Sequence, residues 1–183
     1  MTTLEMVSSK PASEADRFRT ILQEKLPLQE IVDYTLTHSP RLVRPIVSYD
    51  FSALALSFVP AAETSNDHYT YHHLRSDLWD KVSRTGAQFG SRYTVPSAHV
   101  TIARFAVPPG LDRETEAEEL CRRRAELVEK LESINQELRS KDWERFGSPA
   151  RGKWVVGKER GLELNKGQSW YGKGEAVFIG KGF

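Results

Sequence analysis

Val95-Pro96-Ser97-Ala98-His99-Val100-Thr101-Ile102-Ala103-Arg104-Phe105 is the stretch on which the reading of this chain turns. Its β-branched and apolar content after Pro96 predicts a strand over 97–107. Alternate residues of a strand share a face, so His99 and Thr101 point one way while Val100 and Ile102 point into the opposite layer. An imidazole and a hydroxyl then stand side by side. Histidine gives or takes a proton near neutral pH, and a threonine hydroxyl donates to a phosphoryl oxygen, so the pair suits an anionic phosphoester. Taken alone, such a pair on a strand is more often structural. Phe105 shares the face of His99, where an aromatic ring can stack on a nucleobase, although core packing is the commoner fate of a strand phenylalanine. Tyr93 and Trp170-Tyr171 are further aromatics of that kind. Arg104 falls on the other face by parity, which favours a structural ion pair over a phosphate clamp.

Outward from this strand, Ser13-Glu14-Ala15-Asp16 reads as a capped helix start, with Phe18, Ile21, Leu22 and Leu26 at helical spacing until Pro27. A second helical piece runs from Gln29 towards Thr37. Two β-rich runs, 41–49 and 52–59, meet at Asp50-Phe51 and form a hairpin, with Leu54, Leu56 and Phe58 alternating with small residues. Pro45 places the first of these strands nearer an edge. Residues 69–85 are helical in period, with Leu74, Leu78 and Val82 on one stripe and Gly86 as the stop. Asp112 is a good N-cap for a long helix to about 141, with Leu120, Leu127, Leu131, Ile134 and Leu138 on one side. After residue 153, apolar runs separated by glycine turns predict two or three short strands. Hairpins among alternating helices and strands favour an α+β chain with mixed or antiparallel sheets over a doubly wound parallel one.

The composition excludes several function classes. With 183 residues the chain is one domain or two small lobes, read here as a single domain made of two lobes, and 39% hydrophobic and 28% charged residues leave a core to bury. Twenty-six basic against twenty-five acidic residues give a charge of +1, so an anionic ligand must be held by a local site. No apolar run approaches a membrane span and the first residues lack a signal peptide's blocks, so no membrane partner is expected. A single cysteine, Cys121, cannot form an internal disulfide, which fits a cytoplasmic or nuclear protein. Helix packing is the expected role of Cys121, despite the adjacent Arg122-Arg123-Arg124. His68, His72 and His73 lack the neighbours of a metal motif and read as a surface or capping cluster, so no metal is assigned. P-loop, dinucleotide, nucleophile-elbow and Cys-x-x-Cys motifs are lacking, and no cofactor is expected.

His99-Val100-Thr101-Ile102 resembles the second signature of the 2H phosphoesterases, named for two His-x-Ser/Thr-x motifs. The stretches 52–60, 92–99, Gly161-Leu162-Glu163-Leu164 and Trp170-Tyr171-Gly172 resemble the fungal branch of that superfamily described as RNA ligase/cyclic nucleotide phosphodiesterase-like. The resemblance covers most of the chain. It implies a bilobal fold with two sheets and outer helices around a central cleft, one His-x-Thr from each lobe facing the other. It also implies opening of 2',3'-cyclic phosphates on RNA or nucleotides, without metal. The chain departs from the pattern in having no second strand-borne His-x-Ser/Thr. His68-Tyr69-Thr70 has the spacing but falls at a predicted helix start. Met1-Thr2-Thr3-Leu4-Glu5-Met6 instead resembles the residues just after the first histidine in that branch, as though the chain began one residue beyond it.

The resemblance therefore assigns His99 as general acid or base and Thr101 as phosphate ligand, with Thr2 the surviving hydroxyl of the first motif; Phe105 and Tyr93, from the reading of the strand and its aromatics, are the candidate substrate-binding residues beside them. A single imidazole is not optimally protonated for both proton transfers of phosphodiester cleavage, so a catalytically impaired, phosphate-binding member is the alternative. A third reading makes the long helix a partner-binding or dimerising surface. A shortened first strand predicts lower stability or a mobile amino terminus.

Overall fold

The computed structural model describes residues 1–7, 10–62, 67–87, 98–105, 115–139, 152–167 and 174–183. Its elements are α1 (Ala12–Lys25), α2 (Leu28–Val32), a 3-10 turn (Tyr34–Leu36), β1 (Arg41–Tyr49), β2 (Ala53–Pro60), α3 (Tyr71–Ser83), β3 (Ala98–Arg104), α4 (Thr115–Arg139), β4 (Trp154–Val155), β5 (Glu163–Lys166) and β6 (Glu175–Ile179). The fold is α+β, with a curled antiparallel sheet in the order β3-β2-β1-β4 and a second sheet of β5 and β6. Among the described residues no helix is long and apolar enough to cross a membrane. The expected N-cap Asp112 lies outside the described residues.

The chain divides into two compact units. The larger comprises residues 2–42, 60–98 and 154–183. Pro27 ends the run of α1 and opens α2, because proline lacks the amide an interior helical turn needs but fits a first turn. Leu22, Leu28 and Val82 form a core on which Leu4, Met6, Phe18, Leu26, Leu164 and Phe178 pack. Leu74, Leu78 and Val82 are buried on the predicted stripe of α3, and Tyr71 and Arg75 join them. These two explain a difference at the amino terminus, where residues 1–7 form no strand. The Tyr71 hydroxyl donates to the Thr2 carbonyl (3.2 Å) and the Arg75 guanidinium to those of Thr3 (3.0 Å) and Thr2 (3.4 Å), so side chains of α3 replace a strand ladder.

The 3-10 turn is closed by crowding. Gly157 has φ +92°, and a Cβ there would lie 2.2 Å from the Thr35 hydroxyl oxygen. Gly157→Ala is expected to cost roughly 3 kcal/mol or more, from overpacking and left-handed strain together. Gly86→Ala, at φ +75° with nothing within 4 Å, meets only the strain, about 1 kcal/mol. Equal denaturation midpoints for the two variants would contradict this assignment.

The smaller unit comprises Met1 and residues 43–59 and 99–153. Its hairpin turn is set by Asp50, whose carboxylate accepts from the Ser52 amide (2.7 Å), the Ser52 hydroxyl (2.8 Å) and the Ala53 amide (2.9 Å). These bonds, with the charge of Arg104, hold the carboxyl below its ordinary pKa despite some burial. The Asp50 amide bonds the Ala53 carbonyl and, at the far end of the strands, the Ala61 amide bonds the Arg41 carbonyl. β1 takes nine residue steps where β2 takes eight, so β1 contains a bulge. Arg44, at φ +54°, is the extra residue. The bulge also accommodates Pro45, which cannot donate to a ladder and sits beyond the short pairing of β4 with Arg41 and Leu42.

Beyond that pairing, the edge of β1 is taken by a helix side chain. The carboxamide of Asn135 on α4 accepts from the Val47 amide (2.8 Å) and donates to the Val47 carbonyl (3.0 Å). Asn135 is 1% exposed, and Leu131 is buried on the same face. Leu127 and Leu138 are half-buried, but Leu120, Ile134 and Cys121 are exposed, which corrects the expected leucine stripe and the packing role of Cys121. The buried stripe is set by which residues meet the strand edge, and a polar residue at its centre bends the count away from the leucines. Asn135→Leu is expected to lower stability by roughly 2–4 kcal/mol, because both Val47 backbone groups lose their partner. A change below about 0.5 kcal/mol in chemical denaturation would mean that water replaces the amide freely.

Candidate functional site

β3 holds His99 and Thr101 as predicted, in the smaller unit. The Phe105 amide donates to the Ser52 carbonyl (2.9 Å). An antiparallel ladder continued from that bond sets Ala103 opposite Leu54, Thr101 opposite Leu56 and His99 opposite Phe58. The hairpin bond from Asp50 to Ala53 likewise sets Tyr49 opposite Leu54 and Val47 opposite Leu56. His99 and Thr101 therefore share the face of Leu54, Leu56 and Phe58. The other face carries Val100, Ile102, Ala53, Ala55, Ser57 and Ser48, and the hydroxyls of Ser48 and Ser57 meet on it at 2.6 Å. This corrects one expectation: Ile102 is 60% exposed and does not enter a core layer, because the leucine-rich floor belongs to the histidine face.

On that floor His99 is half-buried and Thr101 exposed. Apolar neighbours limit the water that competes for the imidazole, while the hydroxyl two residues along remains open to an incoming group. Phe105, 46% exposed, follows β3 at the end of the same face and is free of the core packing that usually claims a strand phenylalanine. Arg104 is exposed, and its charge acts on Asp50, in keeping with an electrostatic role away from Thr101. Thr2 belongs to the larger unit, where its carbonyl is held by Tyr71 and Arg75. Tyr93, Trp170 and Tyr171 lie outside the described residues.

His68-Tyr69-Thr70 is not a strand motif. Thr70 is the N-cap of α3, and its amide donates to Nδ1 of His73 (3.0 Å) in a capping box. The same helix anchors a cluster that the spacing of single residues does not reveal. The hydroxyls of Tyr34 (3.0 Å) and Tyr69 (2.7 Å) both donate to Oδ2 of Asp77. His38 stacks on Tyr34 with centroids 4.2 Å apart, His73 stacks on Tyr69 at 5.7 Å, and the Lys81 ammonium sits over the Tyr34 ring at 4.9 Å. Burial, and then the bond to Asp77, pushes both phenols above their ordinary range, Tyr69 furthest. Burial alone would raise Asp77, but the two phenol bonds and the nearby His38 and His73 outweigh it and hold the carboxyl below its usual value. The sequence signals for this arrangement are two four-residue spacings, Tyr34 with His38 and Tyr69 with His73.

No protein-family model, curated protein or solved structure matches this chain.

The direction of these shifts fixes a pH dependence. A lowered carboxyl pKa adds stability above the unfolded value near 4 and loses it as pH falls through the lower folded value. Raised phenols add stability below about pH 10 and lose it as pH rises towards their folded values. Asp77→Asn is expected to flatten both limbs of a plot of urea midpoint against pH, the acid one below about pH 4 and the alkaline one above about pH 10. A profile identical to that of the unchanged protein would detach Asp77 from the phenols.

Proposed function

We propose that this chain is a phosphodiesterase-like protein that acts on the 2',3'-cyclic phosphate ends of RNA or nucleotides. The observation that supports it is the pairing of His99 and Thr101 on one face of β3, with a half-buried imidazole beside an exposed hydroxyl. The resemblance of this segment to a 2H phosphoesterase motif, and the bilobal fold that goes with it, belong to the same proposal. In this reading the Thr101 hydroxyl donates to a non-bridging phosphoryl oxygen. His99 takes the proton of a water as its oxygen bonds to phosphorus, and the bond from phosphorus to the 2' or 3' oxygen breaks. The departing alkoxide takes a proton, from the imidazolium or from solvent. Phe105, at the open end of the same face, stacks on the base.

A second reading has its own observation. Among the described residues the other His-x-Thr spacing, 68–70, lies at the start of α3 with Thr70 as its N-cap and on no strand, so one strand-borne imidazole serves this face. One group cannot be optimally protonated as both base and acid, and loss of a general catalyst costs about 10²–10⁴ in rate. A protein that binds cyclic phosphate ends and turns them over slowly fits that arithmetic.

Hydrolysis of the four nucleoside 2',3'-cyclic monophosphates separates the readings. The phosphodiesterase reading expects turnover that falls at least about 100-fold in His99→Ala, with a smaller loss and weaker binding in Thr101→Ala. Binding that depends on Thr101 without turnover gives the second reading. Neither turnover nor binding sinks both and leaves the exposed side of α4 as the surface to examine.

A further inference from the structure

β3 is the outermost strand of its sheet, and among the described residues no strand pairs with its far side. The opposite end of the sheet is guarded, by β4 over Arg41 and Leu42 and by the Asn135 carboxamide over Val47. In the ladder continued from the Phe105 bond, the backbone groups of His99, Thr101 and Ala103 turn to β2, so those of Val100 and Ile102 turn to the outer edge. Native proteins blunt such edges with lysine, proline, inward charges or bulges. The run from Ala98 to Arg104 contains no lysine, proline or acidic residue, and Ile102 on it is 60% exposed. The strand is also complementary to itself. Two copies laid antiparallel about an axis at Thr101 pair the whole of β3, and any other axis leaves part of it unpaired. In that register Val100 meets Ile102 of the second copy, a β-branched pair on one face, and Arg104 meets Ala98 rather than another charge. A net charge of +1 sets little repulsion between copies. On the other face the two Thr101 meet at a Cα separation of about 4.5 Å, and the two His99 flank them with Cα atoms about 14 Å apart. Imidazoles reaching inward from that spacing bracket a phosphate ester.

We propose that two copies of this chain pair along β3 and form one phosphodiester site across the seam, Thr101 of each holding the phosphate between the two His99 imidazoles. The pairing stands on the strand edge; the shared site rests on the phosphodiester reading of this face. Each copy then supplies what the other lacks. One imidazole takes the proton of the attacking water, and the other, protonated, gives its proton to the departing 2' or 3' oxygen, so that base and acid are separate groups. A single strand a side is small beside the roughly 20–30 residues of a stable interface, so association is weak and is strengthened by a ligand that both copies hold.

The test uses the full chain. Sedimentation velocity is expected to show a dimer whose share rises with protein concentration and with an added nucleoside 2',3'-cyclic monophosphate. Ile102→Lys and Ile102→Pro, which change the outer edge, are expected to stay monomeric with unchanged circular dichroism. In a Cys121→Ser background, Thr101→Cys should form a disulfide-linked dimer under mild oxidation, whereas Ala103→Cys, set too far from its copy, should not. Turnover per chain should rise with protein concentration, fall at least about 100-fold in Ile102→Lys, and fall again when excess His99→Ala chain is mixed with the unchanged protein. A chain that stays monomeric with ligand present and does not cross-link through residue 101 overturns the proposal. Turnover that is independent of concentration and indifferent to added His99→Ala chain also overturns it, and spares the phosphodiesterase reading. Cross-linked dimers without turnover support the pairing and sink the phosphodiesterase reading, and the shared site with it.

Discussion

The carboxamide of Asn135 on the Val47 backbone is the contact on which the smaller unit depends. β1 presents a row of amides and carbonyls to an edge where β4 covers only Arg41 and Leu42. Unpaired groups there would invite another strand or remain poorly satisfied. A primary amide has the donor and acceptor of a peptide unit, so Asn135 serves as one residue of a missing strand while remaining part of a helix. Leu131, one turn earlier, adds the apolar contact, and the Tyr49 hydroxyl donates to Glu132 at 3.0 Å. Leu127 and Leu138 are half-buried on either side of that turn, and the outer surface of α4 is solvated, with Glu119 accepting from Arg122 and Arg123. Surface pairs of this kind contribute little. The deepest burial of α4 falls in the turn from Leu131 to Asn135, which covers the edge of the sheet that carries His99 and Thr101.

In the larger unit the corresponding constraint is space. Gly161 and Gly180 bring their backbones so close to the Val32 carbonyl that a Cβ on either would lie within 2.7 Å of its oxygen. The Leu162 amide bonds that same carbonyl at 2.8 Å, and the Gln29 side chain reaches the Ile179 carbonyl. The β5–β6 pair is thus fastened to α2 by backbone contact, which a side chain of any size would prevent. The Asp77 cluster fastens the 3-10 turn to α3 by the opposite means, two phenols on one carboxylate oxygen.

The elements are legible in the sequence wherever local punctuation is strong. Pro40 and Asp50 bracket β1, which runs from Arg41 to Tyr49 as that punctuation predicts, and α3 buries Leu74, Leu78 and Val82 as its period requires. The pair on β3 is legible for the same reason, since two-residue alternation is a property of any strand. Beyond reading lies whatever depends on a partner far along the chain. The exposure of Ile102 follows from which face of β2 is apolar and how β3 registers on it. The burial of Asn135 follows from meeting Val47, 88 residues away. The bond from Tyr34 to Asp77 crosses 43 residues, and Arg44 betrays its bulge only when both ends of the β1–β2 ladder are known. Thr2 reads as strand because nothing local announces that Tyr71 and Arg75 take the nearby carbonyls.

The pairing of Leu42 with Trp154 joins residues more than a hundred apart, while the β1–β2 hairpin closes through the short turn at Asp50. Chain-closure entropy separates these two events in time. The hairpin with its bulge can form early from local contacts, and it carries half of the ladder on which β3 is laid. β4 gains its partner only after everything between has collapsed enough to bring it near. A nascent chain would therefore expose the backbone edge of β1 for as long as both α4 and β4 are missing, and it is in that interval, before the native state exists, that this protein is most open to pairing with a neighbour.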